Sequence, residues 1–247
     1  MFATRYQDLE LRMKSLAEAD GDIFLPNPAP SGPVDYALVC MEPSLGRWAT
    51  TPKLASERIA AGFRNFIYSL EDFILHYCAS RYLCDKGQRY FLTDVSKGAM
   101  LVHRAGNERA ERYNRWHNLL TDELELLLRP YGRVIAVGSA VSKHFRDRGL
   151  RDFSTIMHFS RQAATGRNAA IAGREEEFEA YREEVTLRDV VDNAEHYMSA
   201  CGIPASIQAQ TLARLSATAL TDSRRKLMFA YKAAFEAMRR LSVGTVP

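Results

Sequence analysis

Residues 35–46 read DYALVCMEPSLG. An apolar run, Tyr36-Ala37-Leu38-Val39-Cys40, stops at Met41-Glu42-Pro43-Ser44. Short apolar runs bounded by turn residues are buried strands. Pro43 has no N–H and cannot continue a strand in mid-sheet. The stretch therefore predicts a buried strand that ends on a carboxylate, Glu42. Open α/β sheets bind their ligands beyond the carboxyl ends of their strands. Taken alone, Glu42 reads as an ordinary loop glutamate, so the flanking segments decide whether it is more.

Working outward, three more segments have the same form. Residues 90–95, YFLTDV, end at Ser96-Lys97-Gly98. Residues 133–137, RVIAV, are short, β-branched and followed by Gly138-Ser139, which is the clearest parallel-strand signal in the chain. Residues 153–158, FSTIMH, end in another polar turn. Helical spacing of apolar residues predicts a helix over 5–19, one or two over 51–82, a long one over 108–129 stopped by Pro130 and Gly132, and one beginning near Ala140. The proline-rich segment 26–33, PNPAPSGP, must be extended, and its place just before a buried strand predicts that it packs along the edge of the fold. Strands alternating with helices predict an α/β protein: a three-layer α/β/α fold with a short central parallel four-stranded sheet. The carboxyl ends of parallel strands share one edge, so Glu42, Asp94, Ser139 and His158 are expected to converge.

Past residue 163 no strand signal follows. Residues 175–198 look helical and acidic, and 208–241 look like one helix or two, with Gly202-Ile203-Pro204 between. The expected division is an α/β core over 1–170 and a helical C-terminal extension over 171–247, packed on the core. Residues 203–247 carry 7 positive and 2 negative side chains. That excess is either a solvated helix face or a phosphate-facing surface made by Arg224, Arg225 and Lys226.

Composition narrows the class. A net charge of +3 permits a nucleic-acid partner without requiring one. No run of 18 apolar residues is present, so no membrane span is expected, and the first residues lack the order of a signal peptide. The four cysteines, Cys40, Cys78, Cys84 and Cys201, have no CxxC spacing. They fit reduced thiols in a cytoplasmic protein and argue against a zinc site or a ligated cluster. There is no GxGxxG, Walker loop, GxSxG, HExxH or HxH. No metal or cofactor is expected. What remains is a carboxylate and a histidine at strand ends, a pair suited to hydrolysis by an activated water with a hydrogen-bonding group on the leaving side.

Taken in order, Cys40-Met41-Glu42-Pro43-Ser44, Thr93-Asp94-Val95-Ser96-Lys97, Val137-Gly138-Ser139-Ala140 and His158-Phe159-Ser160 resemble the motifs of the uracil-DNA glycosylase superfamily. The resemblance spans about residues 25–164 and leaves the tail uncovered. It implies a DNA base glycosylase acting on uracil-containing or damaged DNA, monomeric, with no membrane association. Glu42 would activate the attacking water, and His158 would hydrogen-bond the departing base. Asp94 and Met41 would contact that base. An aromatic floor would stack it. Phe63 fits first, because Gly62-Phe63 follows the water motif at about the family's distance. Trp48 and Phe66 come next, and helix core is the plain alternative for Phe63 and Phe66. Ser44, Lys97, Ser139, Ser160 and Arg161 would lie along the DNA backbone.

Two departures stand out. Asp94 occupies the place of an Asn whose amide both donates to and accepts from uracil, and an ionised Asp only accepts. Either the base differs from uracil, or Asp94 is held neutral, or other groups such as the Ser96 backbone read the base. Phe159 replaces the proline of the histidine motif, which suits an aromatic wedge in a base-flipping loop. No lysine stands where a nucleophile would, so no β-lyase activity is expected. The other functional classes left open are a catalytically degenerate nucleic-acid-binding protein of this fold and an unrelated hydrolase of small nucleosides.

Overall fold

The computed structural model describes residues 1–46, 48–101, 108–159 and 164–243. Strand β2 (Val34–Cys40) is buried along almost its whole length, as an apolar run must be when it has neighbours on both sides. It pairs in parallel with β4 (Tyr90–Asp94), placing Tyr36 opposite Tyr90 and Cys40 opposite Asp94. On its other side it pairs in parallel with β6 (Leu128–Val137), with Val39 opposite Ala136. β7 (Phe153–Ile156) completes an all-parallel sheet of order β4-β2-β6-β7. The α/β class, the four parallel strands with flanking helices, and the helical C-terminal part are as expected from the sequence. The chain moves from β2 to β4 on one side and then to β6 on the other. Strand order thus reverses between β2 and β6, where the connecting segments diverge and leave a crevice.

Two helices cover one face of this sheet. Tyr113 and Leu120 of α4 (Arg109–Leu127) and Val141 and Phe145 of α5 (Ser139–Asp147) form one buried cluster with Val39, Val134 and Ala136. Helix α1 (Phe2–Ala19) lies against α4 through Leu9, Met13 and Ala17, which meet Trp116 and Leu119. Helix α2 (Pro52–Ala60) is capped by the Thr51 hydroxyl.

Several boundaries differ from expectation. The strand read as 133–137 starts at Leu128, directly after α4, so Pro130 and Gly132 do not form a loop. They lie within a register shift against Val34 and Tyr36, a bulge that tolerates a proline without N–H. A small second sheet, order β1-β5-β3, was not legible. Its strands β1 (Ile23–Phe24) and β3 (Ser44–Leu45) have two residues each, too few for periodicity, and pair with β5 (Gly98–Leu101). Gly98 permits that pairing, because a Cβ there would sit 2.9 Å from Asp22 Cβ. The proline-rich segment is built in rather than loose. The Asn65 N–H donates to Pro26 O at 2.9 Å, and Asn27 is buried.

The chain divides into two compact units: Met1–Phe66 with Tyr90–Thr155, and Ile67–Arg89 with everything from Ile156 onward. This replaces the expected division at residue 170. Residues 67–89 carry α3 (Leu70–Cys78) and a π-turn, Ala79–Leu83, and they group with the C-terminal helices. Those helices are α6 (Ala164–Ala169), α7 (Glu175–Glu184), α8 (Leu187–Ala200), α9 (Ala205–Ser216) and α10 (Asp222–Val243). Helix α3 packs on α8 and α10. The helical stretch read over 175–198 holds two helices, since Thr186 and Asp189 form a capping box that starts α8 afresh.

The basic run of α10 is spent on partners within this unit. Arg224 pairs with Glu71 at 2.8 Å, Arg225 donates to Leu220 O, and Lys226 meets Asp222 at 3.2 Å. Arg224 and Arg225 are thereby engaged within the unit, while Lys226 and Asp222 form a part-exposed pair of the kind that exchanges readily. Among the described residues, no helix is long and apolar enough to cross a membrane.

Candidate functional site

Two strand ends deliver two carboxylates. The Val95 N–H donates to the carbonyls of both Cys40 and Met41 at 2.9 Å, which ties the exit of β2 to the end of β4. Glu42 and Asp94 are thereby neighbours in the first unit.

Glu42 has a side chain only 3% exposed, and both its oxygens are occupied. Arg109 Nε donates to Oε1 at 2.9 Å and to Oε2 at 3.2 Å, and Arg109 Nη2 donates to Oε1 at 2.6 Å. The Tyr113 hydroxyl donates to Oε2 at 2.5 Å. Arg109 and Tyr113 are four residues apart, so the first turns of α4 present both on one face. Burial, and then the Glu42 charge, push the Tyr113 phenol well above its ordinary value, so it stays protonated and donating. Arg109 remains a third exposed, and its Nη1 bonds nothing among the described residues.

Asp94 is buried and accepts from Asn65 Nδ2 through Oδ2 at 2.6 Å. Burial raises its carboxyl to about 7. Lys97 and the Asn65 hydrogen bond pull it down, while Glu42 and Glu123 push it further up. At neutral pH it is therefore shared between acid and carboxylate. Its Oδ1 takes no hydrogen bond among the described residues. Glu42 is thus clamped by two donors, and beside it burial holds Asp94 toward its acid form.

A buried polar chain holds Asp94 from below. Asn65 Nδ2 also reaches Asn27 Oδ1 at 3.2 Å, and Asn27 Nδ2 donates to Thr93 Oγ1 at 3.2 Å. The Thr93 hydroxyl donates to Glu123 Oε2 at 2.7 Å. Lys97 Nζ donates to the same oxygen at 2.8 Å and to Asp94 O at 2.5 Å, and the Tyr6 hydroxyl donates to Glu123 Oε1 at 3.3 Å. Asn65 is fixed by its own backbone, because its Oδ1 accepts the N–H of Phe66, which stands at φ 57°. A left-handed non-glycine residue costs of order 1–3 kcal/mol and persists only where its surroundings over-determine it.

Lys97 is thus corrected. It is 2% exposed and ion-paired with Glu123 in the interior, so it cannot reach a DNA phosphate. Met41 is half-buried and packs on the core cluster of Val39, Val95 and Tyr113. Trp48 and Phe63 stack on each other, with ring centroids 4.8 Å apart and planes 13° apart. Both are buried. Ser44 lies half-buried on β3, and its carbonyl accepts from Trp48 Nε1 at 2.8 Å. Ser139 is exposed at the first position of α5. His158 belongs to the second unit, where its ring stacks on Phe159 at 4.3 Å. Ser160 and Arg161 lie outside the described residues. Asn65, Arg109 and Tyr113 were missed. Only the four-residue spacing of Arg109 and Tyr113 hinted at a shared face.

Arg109 and Tyr113, which hold Glu42, also line a groove of about 510 Å³ with Asn114 of α4, Ala140, Lys143, His144 and Asp147 of α5, and Arg148 just beyond. His144 is 6% exposed, and its Nε2 is buried with no hydrogen-bond partner among the described residues. Its ring meets Tyr113 and His117 edge-on at 5.3 and 5.2 Å. Burial first, then the neighbouring His117 and Arg148, lower it to about 4, so it is neutral at pH 7. Among the described residues, no three His, Cys, Asp or Glu side chains are placed to hold a metal ion. No protein-family model, curated protein or solved structure matches the chain.

Proposed function

We propose that the protein is a monofunctional DNA base glycosylase that hydrolyses the N-glycosidic bond of a flipped uracil or a related damaged base. The observation that carries this reading is Asp94, buried beside Glu42 with its carboxyl raised to about 7. As an acid, Asp94 can donate to one atom of a pyrimidine edge and accept from another, which is what an amide does in its place. In the reaction, a water oxygen bonds to C1′ and its proton passes to Glu42. The C1′–N bond breaks and its electron pair leaves with the base. Stabilising that developing charge in a dry pocket is worth orders of magnitude in rate. The resemblance assigns the leaving-group donor to His158.

The test is a labelled oligonucleotide carrying a single uracil, with abasic sites read by alkali cleavage, alongside hypoxanthine, xanthine and alkylated bases. Cleavage by the wild-type protein is expected. It should drop by about a hundredfold or more in Glu42→Gln, in line with the contribution of a positioned general base. His158→Ala tests the leaving-group assignment in the same assay. Excision of uracil should decline as pH rises through about 7, as Asp94 loses its proton. Asp94→Asn should remove that decline, because an amide donates at every pH. If the wild-type protein excises no base in the set, the enzyme assignment fails.

One observation favours a second reading, a nucleic-acid-binding protein of this fold without turnover: both oxygens of Glu42 are bonded to Arg109 and Tyr113. Salt-dependent binding to uracil-free DNA with no excision would select it.

A further inference from the structure

The groove that Arg109 and Tyr113 line carries an excess of positive charge. Three cations line it, Arg109, Lys143 and Arg148, against one carboxylate, Asp147. Arg148 uses only Nε, which donates to Asn114 Oδ1 at 3.1 Å, so the forked end of its guanidinium bonds nothing among the described residues. Lys143 is held by Asp147 at 2.6 Å, but both side chains are more than half exposed, and such pairs are cheap to exchange. Ala140, in the first turn of α5, lines the same groove. His144, buried and with its Nε2 unpartnered among the described residues, lines the same space.

Arg109 belongs to two places at once. Its Nε and Nη2 hold Glu42, while the same side chain lines the groove with Nη1 bonded to nothing among the described residues. We infer that the groove takes a backbone phosphate of a nucleic-acid strand, and that this phosphate draws Arg109 away from Glu42. The inference rests on the reading of Glu42 as the water-activating carboxylate. A phosphodiester accepts a bidentate guanidinium as well as a carboxylate does. Lys143 and Arg148 add their fields on the phosphate side. Once Arg109 turns, the partner that Glu42 keeps among the described residues is the Tyr113 hydroxyl, and its oxygens open to a water. The base would then be uncovered only when a strand is bound. Arg109 is accordingly a positioning residue that acts through Glu42.

The test is a competition. If Glu42 and the phosphate share one guanidinium, Glu42→Gln releases Arg109 to the groove. Binding of a uracil-free single-stranded oligonucleotide should then tighten roughly three- to tenfold at low salt, since each tenfold is a modest free-energy difference for one exposed charge contact. The gain should vanish when Arg109→Gln is added. Lys143→Ala and Arg148→Ala, both at exposed positions, should each weaken binding by the otherwise wild-type protein. Inorganic phosphate, titrated as a competitor, should displace the oligonucleotide and do so more effectively from Glu42→Gln. An oligonucleotide affinity that is unchanged or weaker in Glu42→Gln overturns the inference, as does a gain that survives loss of Arg109. Binding of inorganic phosphate without binding of the strand overturns it too. The excision assay separates the two claims. Excision without the Glu42→Gln gain removes the gate and leaves the glycosylase reading. The gain without excision leaves a strand-binding groove and removes the glycosylase reading.

Discussion

Asp94 shows how much one side chain depends on its surroundings. Its place at the end of β4 could be read from YFLTDV, and so could its departure from the amide that the resemblance leads one to expect there. Its protonation could not, because that follows from burial and from Lys97, Asn65 and Glu42, of which only Lys97 lies near Asp94 in sequence. Lys97 is the reverse case. Exposed, it would have been a phosphate contact; inside, it satisfies Glu123. Removing one partner of a buried pair strands the other charge. Lys97→Met should therefore lower stability by about 3–5 kcal/mol, read as a shift of the urea midpoint with unchanged slope. A loss below about 1 kcal/mol would place the pair among those that contribute little.

At the scale of elements, local rules explain most of what forms. The apolar runs became β2, β4, β6 and β7, and the Thr186–Asp189 capping box divides α7 from α8. Thr186→Ala should destabilise by about 1 kcal/mol, the usual cost of losing an N-cap, measured by chemical denaturation. Two features lay beyond such rules. The β1-β5-β3 sheet is made of pieces too short to show a pattern, and it depends on Gly98. Gly98→Ala would drive a methyl group into Asp22, which is buried and salt-bridged to Arg112. The expected loss is about 1–3 kcal/mol, as for overpacked interiors, and a neutral result would show that β1 and β5 can separate freely. The i,i+4 pair Arg109 and Tyr113 was visible as a face of α4, but nothing local says that this face meets Glu42.

At the scale of the molecule, titration links the site to stability. Asp94 is raised from 3.8 to about 7, so the stabilisation of its folded state is full below pH 3.8 and is lost as pH rises through 7. Glu10, raised to about 7 chiefly by burial, acts in the same sense. His144 acts oppositely. It is lowered from 6.5 to about 4, so its contribution is present above 6.5 and is lost as pH falls towards 4. The opposing slopes make a wild-type Tm profile hard to apportion, and a difference isolates one group. Tm of Asp94→Asn minus Tm of wild type should grow from about pH 5 to about pH 8. A flat difference would mean that Asp94 is ionised throughout.

The order of strands and helices, the parallel sheet and the carboxylate at the end of β2 were all present in local pattern. Hydrophobic period, proline and turn residues act over a few positions and so leave their mark in the sequence. Which residues meet at the sheet's edge, that Lys97 faces inward, that residues 67–89 join the C-terminal helices, and that Arg109 and Tyr113 cover Glu42 were decided by packing. Those contacts join residues tens of positions apart, and each one depends on where every element between them comes to rest.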